Sequence, residues 1–263
     1  MKYGIVLLNF LCCSVSVSAQ YEGDLYAYKK DWTAEADLFK AMFIMNLVKE
    51  NDTSYVCRYY RKNGPMIKWE TYRDSLLEIP NGRFAWYNAK GKADSAGFVY
   101  NGKKDKDWFY YFSAEGHPFM IEELYNKGQL LQRTDYRTNT ITYANGKTEP
   151  IQPYIFSPAD TLTKKTATFP NGLKGWTKYL EKNLSTPERF RSLFARDTKA
   201  PVLISFTVDT SGTTTNIFIH ESFEWSVDME AIRVIKASPP WNPSSINGEK
   251  VIYRHKQSIT FVN

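Results

Sequence analysis

The feature that most constrains the fold of this chain is a repeat of paired aromatic residues, each pair followed by a turn glycine. The pairs are Tyr59-Tyr60, Trp86-Tyr87 and Tyr110-Tyr111, and the glycines are Gly64, Gly91 and Gly116. Glycine adopts the positive φ that tight hairpin turns require, so each unit reads as strand, turn, strand, turn. One hairpin buries little of its aromatic face alone, whereas neighbouring hairpins share an apolar layer. The repeat, with a period of about 25 residues, therefore predicts stacked antiparallel hairpins.

Two stretches of the repeat region, residues 82–87 (GRFAWY) and residues 101–108 (NGKKDKDW), resemble MORN-type repeats of bacterial exported proteins. The resemblance covers residues 59–131, although Lys106 stands where the repeat usually has a second glycine. Aromatic rings also stack on carbohydrates, but core packing is the favoured interpretation, because the repeat needs these rings to hold together.

The first residues have the pattern of a secretory signal peptide: Lys2, an apolar stretch over residues 5–17, and small residues ending at Ala19. The apolar stretch is shorter than the roughly 20 residues of a membrane-spanning helix, so we expect cleavage after Ala19 and export to the periplasm. Cleavage leaves Cys57 as the only cysteine, which excludes an internal disulfide. We expect Cys57 to be a buried strand residue; a reactive thiol or an intermolecular bridge is the alternative.

The charge pattern argues against a nucleic-acid groove. The formal net charge is +6, but basic and acidic residues interleave, as in residues 103–107 (KKDKD). A nucleic-acid site gathers one sign of charge on one face. The pattern indicates a solvated surface, with a weak preference for an acidic partner or the anionic envelope.

Before and after the repeat the sequence is less regular. Residues 20–35 are polar and predict a poorly ordered lead-in. Residues 39–48 fit either a strand or a buried helix, and the turn Asn51-Asp52 followed by alternation over residues 54–60 favours a hairpin. Residues 149–167 are polar and contain several prolines, which predicts a linker.

The C-terminal region mixes helices and strands. Apolar residues at helical spacing, Leu173, Trp176, Leu180 and Leu184, predict a helix over residues 172–184, and a short second helix is possible around residues 190–194. Residues 202–208 and 215–219 predict a hairpin turned by residues 209–212. Ser226 is the predicted N-cap of a further helix that must stop before Pro239-Pro240. Residues 250–262 alternate and predict a final strand.

The C-terminal segments together resemble the TonB C-terminal domain in order and spacing. The matching stretches are FPNGLKGW (169–176), ISFTVDTSG (204–212), DMEAIRVI (228–235), PWNP (240–243) and NGEKV (247–251). Thr186-Pro187 replaces a frequent Tyr-Pro pair, and Lys199-Ala200-Pro201 replaces a glycine before the first strand. The resemblance implies a two-helix, three-stranded antiparallel domain over residues 168–263. The chain is thus predicted to be α+β: signal peptide 1–19, MORN-like β-hairpin repeat domain 20–148, linker 149–167, and the TonB-like domain.

The resemblance implies a protein-interaction module associated with TonB-dependent outer-membrane transport. In the family, an edge strand captures a short segment of an outer-membrane receptor by strand addition. Carried over, the partner-binding residues are those of the last strand: Ile252, Tyr253, Arg254, His255, Lys256, Gln257, Ser258 and Ile259. The alternatives are a structural or envelope-surface-binding repeat protein, or a true energy transducer if the N-terminal segment is retained as an anchor.

The sequence offers little for catalysis. His117, His220 and His255 lie in unrelated segments, and no Cys-x-x-Cys, Gly-x-Ser-x-Gly or phosphate-binding glycine loop is found. Asp209 and Asp228 have ready roles in a turn and at a helix start. We therefore expect no enzyme activity, no metal and no cofactor.

Overall fold

The computed structural model describes residues 22–111, 120–152 and 163–263. The predicted signal peptide, residues 1–19, lies outside these ranges. No helix in the described ranges has the length and apolar character needed to cross a membrane. The described chain is α+β, with antiparallel strands throughout and its helices in the C-terminal region.

The N-terminal region forms one eleven-stranded antiparallel sheet in which each strand pairs with the next along the chain. Its strands are β1 (Asp24–Tyr28), β2 (Phe43–Asn51), β3 (Ser54–Arg61), β4 (Met66–Tyr72), β5 (Gly82–Tyr87), β6 (Ala93–Tyr100), β7 (Lys103–Tyr110), β8 (Ile121–Asn126), β9 (Gln129–Asp135), β10 (Thr140–Tyr143) and β11 (Thr148–Pro150). The β2–β3 hairpin confirms the strand interpretation of residues 39–48 from Phe43 onward; residues 39–42 precede the strand, and Phe39 is 89% exposed. The prediction that residues 20–35 are poorly ordered was wrong for β1, because this strand pairs with β2 along all five of its residues.

The aromatic repeat corresponds to every second strand of this sheet. Its pairs lie on β3, at the end of β5 and at the end of β7, and each of these strands pairs with the next one. The turns at Gly64 and Gly91 agree with the prediction, whereas Gly116 lies outside the described ranges. The second member of each pair, Tyr60, Tyr87 or Tyr111, packs into the core shared with the C-terminal region. The first members lie on the opposite face, in separate aromatic clusters.

The C-terminal region contains two small sheets and three helices. The helices are α1 (Gly172–Asn183), α2 (Glu188–Leu193) and α3 (Trp225–Lys236). The strands are β12 (Lys164–Lys165), β13 (Lys199–Val208), β14 (Thr214–Glu221), β15 (Ser244–Ile246), β16 (Glu249–Val251) and β17 (Tyr253–Val262). The larger sheet has the order β14-β13-β17, and β12, β15 and β16 form the smaller one. The two-helix expectation is corrected to three, because α2 adds one short helix that buries Phe190.

Three local predictions in this region need correction. The N-cap of α3 is Glu224, whose carboxylate accepts from the Ser226 and Val227 N–H groups. Leu173 is 79% exposed, so only Trp176 and its neighbours one turn on form the buried side of α1. The final strand is interrupted at Ile252, which separates β16 from β17.

One apolar core joins the two regions. It contains Tyr60, Trp69 and Tyr87 from the N-terminal sheet together with β13, β14 and α3 residues such as Phe206, Phe218 and Ile235. Buried polar contacts cross the junction: the Tyr87 hydroxyl donates to the Ile219 carbonyl at 2.7 Å, and the Met66 N–H donates to Ser222 Oγ at 2.8 Å. The predicted linker lies partly outside the described ranges, and the boundaries drawn from the sequence stay a prediction.

Candidate functional site

The candidate site is the last strand, β17, which lies at one side of the β14-β13-β17 sheet. It pairs with β13 along all ten of its residues, from Tyr253 opposite Val208 to Val262 opposite Lys199. In the described ranges no strand pairs with its other side. Seven of the predicted binding residues lie on β17, and Ile252 precedes it with 70% of its surface exposed.

The side chains of β17 alternate between two environments. Ile259 and Phe261 are buried in the core, and the His255 ring lies 4.9 Å from Trp241 and 5.2 Å from Phe206. Burial lowers the pKa of His255, which fits a core histidine. Arg254 and Lys256 are exposed, as the alternation predicted. The strand is therefore anchored through every second side chain.

A proline on β13 shows which residues of β17 form backbone hydrogen bonds to β13 and which have backbone groups that point outward. Pro201 lies opposite Thr260 and has no N–H, and Asn263 exchanges backbone bonds with residues 197 and 198. Since hydrogen-bonded and non-hydrogen-bonded pairs alternate in an antiparallel ladder, Thr260 belongs to a non-hydrogen-bonded pair. The N–H and C=O groups of Arg254, Lys256, Ser258 and Thr260 therefore point away from β13. The Ser258 carbonyl accepts from Gln257 Nε2 at 3.1 Å.

The opposite edge of the same sheet is covered by the N-terminal region. The backbones of Lys92 and Glu221, at the end of β14, form an antiparallel β-bridge, and the Ser222 N–H donates to the Gly91 carbonyl at 2.8 Å. Gly91 has φ +77°, and a Cβ there would lie 2.1 Å from the Ser222 carbonyl oxygen. Only glycine fits this turn against β14. The two edges of the sheet thus differ, one being capped and the other accessible.

Cationic side chains gather on the face of this sheet that carries Arg254 and Lys256. The Ser205 hydroxyl lies 2.9 Å from His220 Nε2 and accepts from Arg254 Nη2 at 3.3 Å. Arg83, from β5, donates to the Ile217 carbonyl at 3.1 Å. Burial, and then the charges of Lys256, Arg254 and Arg83, lower the pKa of His220 to about 3. In the described part of the chain none of these three cations pairs with a carboxylate, so the surface beside β17 is positive.

The other residues singled out in the sequence have structural positions. Cys57 is fully buried on β3, as expected. The Asp209 carboxylate accepts from the Ser211 and Thr213 N–H groups within its turn. His117 lies outside the described ranges. The described residues contain no group of three or more side chains suited to hold a metal ion.

Sequence reasoning missed Arg83 and His220 as neighbours of the last strand. They lie on different sheets and far apart in the chain, so no local pattern links them. The one signal that the sequence offers is a polar side chain within a strand. Such a side chain needs a polar or aromatic neighbour when it is half-buried.

Comparison with known proteins bears on the C-terminal region. Residues 194–262 match the family model of the Gram-negative bacterial TonB protein C-terminal. No curated protein and no solved structure matches the chain. The match spans β13, β14, α3 and β15 to β17, and begins after α1 and α2, so it is shorter than the resemblance drawn from the sequence. The MORN-type resemblance stays a prediction. Residues 194–262 are therefore similar to the TonB C-terminal domain, and they contain the whole candidate strand.

Proposed function

We propose that this chain is an exported envelope protein that captures an extended peptide segment of an outer-membrane transport protein along β17. The observation that carries the proposal is the accessible outer side of β17, since an unpaired strand edge accepts a further strand through backbone hydrogen bonds. The match to the TonB C-terminal family supports a role in envelope transport. The proposed activity is binding and not catalysis.

The proposed site uses two sets of groups from the same residues. The outward N–H and C=O groups of Arg254, Lys256 and Ser258 pair with the guest backbone. Their side chains project to the positive face of the sheet. A guest residue directly opposite one of them has its Cβ about 5 Å away, and opposite charges in such a pair are favourable. We therefore expect a guest with acidic residues at alternate positions.

A binding experiment with a defined probe tests this proposal. The probe is a fluorescein-labelled ten-residue peptide of alternating Val and Glu, with the Val/Lys peptide as its matched control. Fluorescence anisotropy should show binding of the Glu peptide, weakening as salt rises from about 0.05 to 0.5 M because exposed charges are screened. Lys256→Glu should weaken binding at least tenfold. Lys178→Glu, an exposed change on α1, should have no effect. Equal binding of both peptides would contradict the charge preference.

Proline substitutions separate backbone pairing from charge attraction. Ser258→Pro removes an outward N–H without removing a charge and leaves the bonds to β13 in place, so it should abolish peptide binding with little loss of stability. Gln257→Pro removes an N–H that points to Ile204 on β13 and should destabilise the fold instead. Peptide binding that survives Ser258→Pro would rule out strand addition at this edge.

A second candidate function places binding on the N-terminal sheet. On the face away from the shared core, Trp32 and Trp86 are 42% and 38% exposed. Exposed indoles suit stacking on a sugar ring. Deleting residues 59–131 would not test this, because that segment supplies part of the common core. Trp86→Ala, assayed for retention on purified cell-wall glycan, is the appropriate test.

A further inference from the structure

A cleft of about 300 Å³ lies between the N-terminal sheet and α3, away from β17. Apolar side chains line part of it, namely Val48, Met229 and Ile232, all of them buried. Its polar lining includes Arg58, on β3. Arg233 and Lys236 at its rim each pair with an acid of the chain, Glu230 and Glu22 respectively.

Arg58 differs from the other cations of the cleft because no described carboxylate forms an ion pair with it; Glu22, which also lines the cleft, pairs with Lys236. It is 3% exposed, and its guanidinium lies 4.2 Å over the Trp69 ring. Nη1 donates to Asn46 Oδ1 at 3.3 Å, while the buried Nε–H has no hydrogen-bond partner. No carboxylate pairs with Arg58 anywhere in the described ranges. Arginine does not give up its proton in proteins, so its charge remains buried.

A buried charge with an unsatisfied donor is costly unless an anion or further acceptors complete it. The aromatic ring and one long amide contact satisfy only part of the guanidinium. Burial lowers the pKa of Arg58, and the more distant charges of Glu50 and Glu22 offset this only in part. An anion in the cleft would place an opposite charge beside the guanidinium, which lines the cleft.

We propose that this cleft binds a small organic monocarboxylate, with its carboxylate at Arg58 and its apolar body against Val48, Met229 and Ile232. The apolar lining disfavours inorganic phosphate, which carries no apolar body. A volume of about 300 Å³ corresponds to about ten water molecules at about 30 Å³ each, so the ligand has about eight to ten non-hydrogen atoms. Because the cleft joins β2 and β3 to α3, the ligand would tie the two regions together.

Thermal unfolding of the full chain tests the site with three probes: hexanoate, its neutral isostere hexanamide, and inorganic phosphate. Hexanoate should raise the Tm by roughly 5–10 °C at about 100 times its Kd, and the other two should not. Arg58→Met should remove the response to hexanoate. Arg61→Met, an exposed change on the same strand, should retain it.

A second measurement covers the case in which Arg58→Met fails to fold. The Trp69 indole N–H is buried without a partner beside Arg58, and its NMR signal should shift saturably with hexanoate and not with hexanamide. An equal response to hexanamide or phosphate, a response retained by folded Arg58→Met, or an unchanged Trp69 signal would overturn the proposal. None of these readouts depends on β17, so the peptide-binding proposal stands or fails separately.

Discussion

Two buried tyrosines at the junction between the regions make a matched pair of probes. Tyr87 and Tyr60 are equivalent members of the aromatic repeat, 8% and 0% exposed. The Tyr87 hydroxyl donates to the Ile219 carbonyl at 2.7 Å. The Tyr60 hydroxyl has no partner at full hydrogen-bond geometry, but it lies near enough to the Asp228 carboxylate to lower the pKa of that group slightly. Replacing each tyrosine by phenylalanine removes one oxygen atom and changes little else.

The expected costs follow from these partners. Tyr87→Phe loses a buried hydrogen bond and leaves a carbonyl less well satisfied, which costs about 1–2 kcal/mol. In a chain of this size that lowers the Tm by roughly 2–6 °C. Tyr60→Phe removes a buried hydroxyl whose one contact, with the Asp228 carboxylate, falls short of full hydrogen-bond geometry, so the unfolding free energy should change by less than about 1 kcal/mol.

Urea unfolding followed by tryptophan fluorescence and by circular dichroism measures both effects. The two probes should report one common transition, because the regions share a core. If Tyr60→Phe costs as much as Tyr87→Phe, the hydroxyl of Tyr60 has a real partner and the reasoning from hydrogen-bond geometry is refuted. Two separate transitions would refute the shared core.

Three further predictions concern single side chains. Burial raises the pKa of the Asp228 carboxyl well above its usual range, partly offset by hydrogen bonds from Ser222 and Phe223. Because the folded-state pKa is raised, the native carboxyl stabilises the fold most below about pH 4 and loses this contribution as the pH rises. The stability of Asp228→Asn relative to the native protein should therefore increase as the pH rises above about 4, measured by urea unfolding at each pH. Gly97→Ala would put a Cβ 2.2 Å from the Trp108 indole and should cost about 1–3 kcal/mol, whereas Gly64→Ala, whose nearest contact is 3.4 Å, should change the unfolding free energy by under about 0.5 kcal/mol. Burial raises the pKa of the Cys57 thiol to about 12, so mass spectrometry should find it alkylated only after unfolding; labelling of the folded protein would contradict its burial.

Local signals account for the parts of the fold that the sequence predicted. Gly64 and Gly91 of the repeat, the Asp209 turn and the alternation of the last strand act within a few residues, and each produced the expected element; Gly116 lies outside the described ranges. The capping of α3 by Glu224 was missed because short side chains such as Ser226 are the usual N-caps.

Long-range contacts account for what the sequence could not predict. The β1 strand exists only through its pairing with β2, and the Tyr87 bond to Ile219 joins residues separated by 132 positions. The same holds for the candidate site. Alternation identified Arg254 and Lys256 as exposed, but the strand order and the contribution of Arg83 required the three-dimensional structure.

The turn at Gly91 limits how copies of this protein can associate. A sheet with two accessible borders can stack copy after copy into a growing filament, since each addition leaves a fresh border behind. Here the second half of the β14 border is occupied by Lys92, Arg83 and Tyr87, so a second molecule joining along β17 would end the process at a symmetric pair. Self-association through this sheet is therefore finite, and it competes with any guest for one place.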